Sequence, residues 1–335
     1  VDALVRERRF DAAHVDTIGL APLATRVPAP LVQNHHNVES AMMERRAASA
    51  PSALRRALYR SEARKLAELE WRCADYTALH LAVSELDAER LRERVGAADV
   101  RVVANGVDTD WFAPRRALGH GDGGLVFAGA MDWYPNREAT RWLVREIWPL
   151  LAADRPERRL AIVGRAAPAE VAGAARADAR VEAPGFVGDV RPWLDDASIY
   201  LCPIRDGGGT RLKVLDALAM AKPLVATALA VEGLGLEAER HYLRAEAPHE
   251  WLAQVRRLES DAALRRRLAE AGRRLVARRF DWSVIGRALV AAHRDAARAA
   301  RPLRSISGGT RAPAPDTAAP LPTRRCPDAA ESEAG

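Results

Sequence analysis

The segment 205–227, RDGGGTRLKVLDALAMAKPLVAT, sets three consecutive glycines before a run that reads as a helix, followed by Lys-Pro and a short apolar strand. Glycine lets a backbone approach a ligand closely, and a helix N-terminus aimed at the same place favours an anion. Gly207, Gly208 and Gly209 leave their amides unobstructed, Thr210 follows, and the helix start adds a partial positive charge. Arg211 and Lys213 bring full positive charges to the same neighbourhood. Asp216, one turn further on, is an acceptor for sugar hydroxyls. The set suits a sugar diphosphate, with donors for the phosphates and an acceptor for a ribose. A plain loop-to-helix turn is the alternative for an isolated Gly-Gly-Gly, so the rest of the chain has to decide.

With 335 residues, 48% hydrophobic and 29% charged, the chain has room for two globular domains. No run approaches the roughly 18 apolar residues of a spanning helix, and no signal-peptide pattern opens the sequence. Cys73, Cys202 and Cys326 are scattered, which excludes a disulfide framework and a Cys-x-x-Cys knuckle, and no metal site is expected. A reducing, cytoplasmic setting fits. The net charge is +6, and lysine occurs only at 65, 213 and 222. That arginine bias follows genome base composition more than nucleic-acid binding, whose aromatic-and-basic interleaving is missing. Arg55, Arg56, Arg60 and Arg64 cluster on one helix; a solvated face is the first reading and docking on the inner membrane face the second.

The elements that must position these residues alternate. Short strands are expected near 12–15 and 30–34, then in ALHLAVS and VRVVANGVD, with a long basic helix over 51–73 and another from the Ser84 cap to Gly96. The Gly/Pro/Arg-rich stretch TDWFAPRRALGHGDGG reads as a linker. Beyond it LVFAGAM, RLAIVG, VEAPGFVGDV, IYLCPI and PLVAT read as strands, and NREATRWLVREIWPLLAA as one helix. Strands separated by helices of this length predict parallel sheets with right-handed crossovers, an α/β chain of two lobes facing a cleft. The expected division is 1–110, 111–300 and a disordered tail 301–335 of Pro, Ala, Gly and Ser. Asn105, Gly106 and Asp108 form a hinge turn, Asn136 a helix cap, and Trp111, Trp133, Trp142, Trp148 and Trp193 read as packing.

With these segments in order, the chain resembles the GT-B glycosyltransferases, in particular the retaining family 4. The resemblance rests on HHNVES, VSELDAERL, VVANGVDTDWF, FAGAMDWYPNREATRWLVREIWPLL, GFVGDVRPWLDDASIYLCPI and the glycine segment, and covers about residues 10–300. It implies two Rossmann-like lobes and a nucleotide-sugar donor, UDP- or GDP-linked, as substrate with no cofactor. The acceptor it implies is a saccharide or a lipid-linked sugar. MDWYPN is similar to a bacterial subgroup associated with exopolysaccharide systems. Of the family's Glu-x7-Glu motif, the second carboxylate falls on Asp216 and the first on Gly208, so that carboxylate is absent. Arg211 and Lys213 match the diphosphate clamp, and Val187 and Gly188 match positions whose backbone faces the nucleobase. His36, then His35, matches the histidine that faces the transferred sugar, helix capping being the bland alternative. The family's arginine after the first strand of the second lobe has no counterpart in GAMDWYPN.

The resemblance further implies metal-independent transfer with retention. The first lobe reads as lacking its opening strands, since no strand and glycine loop precede FDAAHVD. A nucleotide-sugar-binding protein without turnover is therefore the alternative function.

Overall fold

The computed structural model describes residues 1–96, 99–121 and 123–299; the expected tail lies outside them. The strands are short and mostly apolar at every position, a pattern that requires both faces of a sheet to be covered. In the first lobe Ala13–Val15 (β1), Leu31–His35 (β2), Leu79–Ala82 (β3) and Val100–Val102 (β4) form one parallel sheet in the order 1-2-3-4. Val32 pairs with Leu79 and His35 with Ala82. Its helices include Glu39–Ala48 (α1), Ala53–Cys73 (α2) and Glu85–Val95 (α3). Ser84 caps α3 by accepting the Asp87 amide, as its position predicts.

The second lobe holds Leu125–Ala128 (β5), Leu160–Val163 (β6), Val181–Gly185 (β7), Ile199–Cys202 (β8), Leu224–Ala226 (β9) and Leu243–Arg244 (β10). All pair in parallel, in the order β10-β9-β8-β5-β6-β7. The chain thus runs outward from β5 to β7, returns beside β5 as β8, and continues the other way. That reversal opens a crevice between the carboxyl ends of β5 and β8, where open α/β sheets hold ligands. The largest apolar cluster lies here, with Phe127, Tyr200 and Trp251 fully buried.

Tyr134–Trp142 (α4) starts the helix expected from Asn136 onward, but the helix is not continuous. A wide π-type turn occupies Leu143–Ile147 before Trp148–Asp154 resumes. Pro149 has no amide to give the preceding turn, so the helical ladder must be interrupted there. The glycine loop leads into Leu212–Ala219 (α5).

One correction concerns the lobe boundary. Trp282–Ala299 (α6), expected in the second lobe, covers the first sheet: Ala292 and Ala296 pack with Val32, Leu79 and Leu81. Small residues one turn apart let the helix approach the strands closely. The chain crosses between lobes twice, side by side. Val107 donates to the Phe280 carbonyl at 2.8 Å and accepts from the Trp282 amide at 3.1 Å. Asp108 holds the hinge turn through the Trp111 amide at 2.8 Å. Trp142 and Trp148 are core residues as expected, whereas Trp111 and Trp133 are exposed, the former under the Arg191 guanidinium at 3.5 Å. Among the described residues no helix is long and apolar enough to cross a membrane.

Candidate functional site

The three glycines serve conformation and close packing. Gly207 and Gly209 have φ of +107° and +65°, where a Cβ is strained. Gly208 and Gly209 also lie against the first lobe: a Cβ at 208 would stand 3.2 Å from Asn37 Oδ1 and 3.4 Å from Arg45 Nη2, and one at 209 only 2.6 Å from the His36 carbonyl. Thr210 Oγ1 accepts from Asn105 Nδ2 at 2.9 Å, tying the loop to the hinge. The loop is therefore a surface shared by both lobes.

Arg211 and Lys213 point to different places. Arg211 is buried and donates to the carbonyls of Gly209 and, at 3.1 Å, Gly207. It braces the loop from within. Lys213 lines a pocket of about 240 Å³ at the switch point, together with Asp216, Gly129, Gly164, Val187 and Tyr200. Its Nζ donates to Asn136 Oδ1 and lies 5.3 Å from the Phe127 ring centroid. Burial pushes the Lys213 ammonium down to about 8 and the Asp216 carboxyl up to about 7, the latter opposed by the neighbouring lysine. At neutral pH the pocket thus holds a cation poorly compensated by its own neighbours, the condition for binding an anion.

Several pocket residues escaped the sequence reading. Asn136, expected as a cap, is buried and bridges Lys213 to the chain after β5, donating to the Ala130 carbonyl at 2.7 Å. A Cβ at Gly129 would stand 2.8 Å from Lys213 Cε and displace that side chain. Arg165, two residues after β6, adds a guanidinium at the rim, paired with Asp132 at 2.8 Å. Phe186, 74% exposed, flanks Val187 at the pocket wall. Gly188 adjoins this wall, and a Cβ there would meet nothing within 4 Å.

The two histidines separate. His35 is buried in β2, with Nε2 at 3.0 Å from His80 Nδ1, and burial pushes its pKa down to about 3. It is a neutral core residue, which corrects its reading as a site residue. His36 is exposed at the carboxyl end of the strand, with Nε2 3.0 Å from Asp16 Oδ1. Asp16 also accepts from Asn34 at 2.8 Å, and that bond is the main reason its carboxyl lies below the usual range. The lobes are further linked through Glu232, which accepts from Arg45 at 2.8 Å and Arg90 at 3.3 Å.

A doubly wound second lobe with its pocket at the strand reversal, faced by a second parallel-sheet lobe, defines the GT-B fold. Two family models divide the chain: Glycosyltransferase Family 4 matches residues 1–111, and Glycosyl transferases group 1 matches 122–261. The chain thus has the GT-B fold, and each lobe matches a glycosyltransferase family model. Among solved structures, sucrose-phosphate synthase from Thermosynechococcus elongatus is similar at a TM-score of 0.68 and 19% identity, over 87% of this chain and 75% of that one. Anabaena Alr3699/HepE in complex with UDP gives 0.66 and 15%, over 85% and 79%. A glycosyltransferase from Rickettsia africae gives 0.64 and 13%, over 88% and 79%. At these identities the likeness is one of fold. Among curated proteins no sequence matches the chain.

Proposed function

We propose that the protein moves a sugar from a UDP- or GDP-linked donor to a saccharide or lipid-linked acceptor, with retention and without a metal, in cell-surface or exopolysaccharide synthesis at the cytoplasmic face of the membrane. The observation that carries this reading is the half-buried Lys213–Asp216 pair lining the switch-point pocket. As the bond from the anomeric carbon to the diphosphate oxygen breaks, the leaving group gains negative charge, and Lys213 with the first amides of α5 stabilises it. The acceptor hydroxyl forms the new bond on the same face and gives up its proton. Asp216 takes the ribose hydroxyls, and the Phe186–Val187 wall takes the base. Arg165 supplies from β6 the charge that GAMDWYPN lacks. His36 remains the first-lobe candidate near the transferred sugar. The UDP in the similar Anabaena structure supports a nucleoside diphosphate as the ligand class.

A donor-binding protein without turnover is the second reading, favoured by one fact: with His35 in the core, one fewer imidazole is left for the reacting sugar. Calorimetric titration of UDP and GDP tests the donor site, and release of free sugar or transfer from UDP- and GDP-sugars separates the two readings. Failure of both nucleotides to bind a folded protein would refute the proposal.

A further inference from the structure

A second cavity, of about 210 Å³, opens at the other end of the second-lobe sheet. Gly124, Arg159 and Ser198, which line it, immediately precede β5, β6 and β8, whereas Gly129 and Gly164 of the switch-point pocket follow β5 and β6. The length of a four-residue strand, about 13 Å, therefore separates the two. Four arginines reach this space, Arg155, Arg158, Arg159 and Arg265, against two carboxylates, Glu157 and Glu259.

These charges do not pair off. Buried Arg158 donates to Glu259 at 2.8 and 2.7 Å and to Asp154 at 2.8 Å, which satisfies it and occupies Glu259. Arg155 stands 3.4 Å from Glu157 and 3.5 Å from Glu259, too far for well-made hydrogen bonds. Arg159 is exposed and has no partner among the described residues. Arg265, on the helix Ala262–Arg279, is buried yet donates only to carbonyls, those of Gly119 at 3.1 Å, Glu259 at 2.9 Å and Leu258. Among the described residues no carboxylate pairs with it, and its Nη2 meets no acceptor. Gly121 leaves that nitrogen its room, since a Cβ there would collide with it. A buried guanidinium without a counter-charge is costly, and an anion in the cavity supplies one.

Guanidinium forks match phosphate oxygens in pairs. A tetrahedral dianion presents oxygens to Arg155, Arg159 and Arg265 together, which the two oxygens of a carboxylate do not. The volume admits a phosphoryl group with a small substituent and lies below the usual range for larger organic ligands. We propose that this cavity is an anion site separate from the cleft, binding inorganic phosphate or the phosphoryl group of a small phosphate monoester through Arg155, Arg159 and Arg265, with the Arg158–Glu259 pair as its fixed wall. The inference goes beyond the donor reading and does not depend on it.

The test titrates the full chain calorimetrically with inorganic phosphate and with glucose 1-phosphate at fixed ionic strength. One phosphate per chain is expected. Arg159→Gln should weaken its binding roughly tenfold, and Glu157→Gln, by releasing Arg155, should tighten it about twofold. Both side chains are exposed, so the unfolding midpoint and the binding of UDP or GDP should stay those of the wild type. Lys213→Met should leave phosphate binding intact. Tighter binding of the ester assigns the site to a sugar phosphate, and equal or weaker binding to free phosphate. Absence of binding to the folded wild type at millimolar phosphate overturns the proposal. So does binding that Arg159→Gln leaves unchanged, or binding that Lys213→Met abolishes, which puts the phosphate in the cleft instead. If neither UDP nor GDP binds while phosphate does, the donor reading falls and this site stands.

Discussion

Lys213 gives the most exacting test, because one residue sets both the affinity for an anion and a proton count. Its pKa lies at about 8, held down by burial. A bound diphosphate supplies the missing counter-charge and returns it toward the ordinary lysine value. At pH 8.5 about three quarters of Lys213 is unprotonated before binding, so each nucleotide should take up about 0.75 proton, falling to about 0.1 at pH 7. The sign follows: binding favours the charged form, so the Lys213 contribution to affinity is flat below about pH 7 and drops about tenfold between pH 7 and pH 9. Asp216, at about 7, is nearly all ionised at pH 8.5 and contributes little there. Lys213→Met removes a charge-assisted bond of about 1.5–3 kcal/mol, a loss of roughly 10–150-fold in affinity. It also relieves the cost of a buried charge, about 3 kcal/mol, and orphans Asn136 Oδ1 at a cost of about 1–3 kcal/mol, so the fold should not weaken. The assay is calorimetric titration of UDP and GDP at pH 8.5 in buffers of different ionisation enthalpy, wild type against variant. Subtraction removes protons exchanged by the nucleotide itself. Equal proton uptake in both, or affinities within about threefold, would refute the assignment.

Gly209→Ala puts a Cβ at φ +65° beside the His36 carbonyl, and strain of about 1–2 kcal/mol should lower the melting temperature by several degrees and impair nucleotide binding. Gly188→Ala, open on all sides, is the control in the melting experiment, and equal midpoints would count against the packed loop. His35 and His80 are held neutral, with pKa values pushed down to about 3 and about 4, so the unfolded chain binds more protons below pH 6.5. Stability measured in urea should therefore fall with pH between about 6.5 and 4, by up to about 2.7 kcal/mol per unit, and His80→Gln should halve that slope. Glu232→Ala releases Arg45 and Arg90, costing about 1 kcal/mol of cross-lobe attraction. Small-angle scattering should show a larger radius of gyration with nucleotide affinity little changed; an unchanged radius would deny the pair any part in holding the lobes together.

The alternation of strands and helices made two parallel sheets legible, and the glycine run located one wall of the pocket. The remainder depended on direction. Residues two apart at the start of a helix project to opposite sides, whereas residues three apart share a face. That spacing already separates Arg211 from Lys213 and joins Lys213 to Asp216. For the histidines no such rule was decisive: both faces of β2 are covered, and Gln33 and His35 are buried alongside Leu31 and Val32. Arg165 reaches the pocket from the end of β6, and Asn136 on α4 holds the lysine that lines it, so only the strand order reveals them. The placement of α6 on the first sheet was equally hidden, since its alanines fit either lobe.

That helix has a consequence for how the protein is made. Residues 282–299 cover strands completed before residue 103, so the early lobe emerges from the ribosome with one face of its sheet bare. At synthesis rates of about 5–20 residues per second, the interval before α6 appears is roughly 10–35 s. By its end the second lobe has all its strands, while the first still has waiting apolar surface. The lobe encoded first is thus the one finished last, and a chain ending before residue 282 should damage the half of the molecule farthest from the cut in sequence.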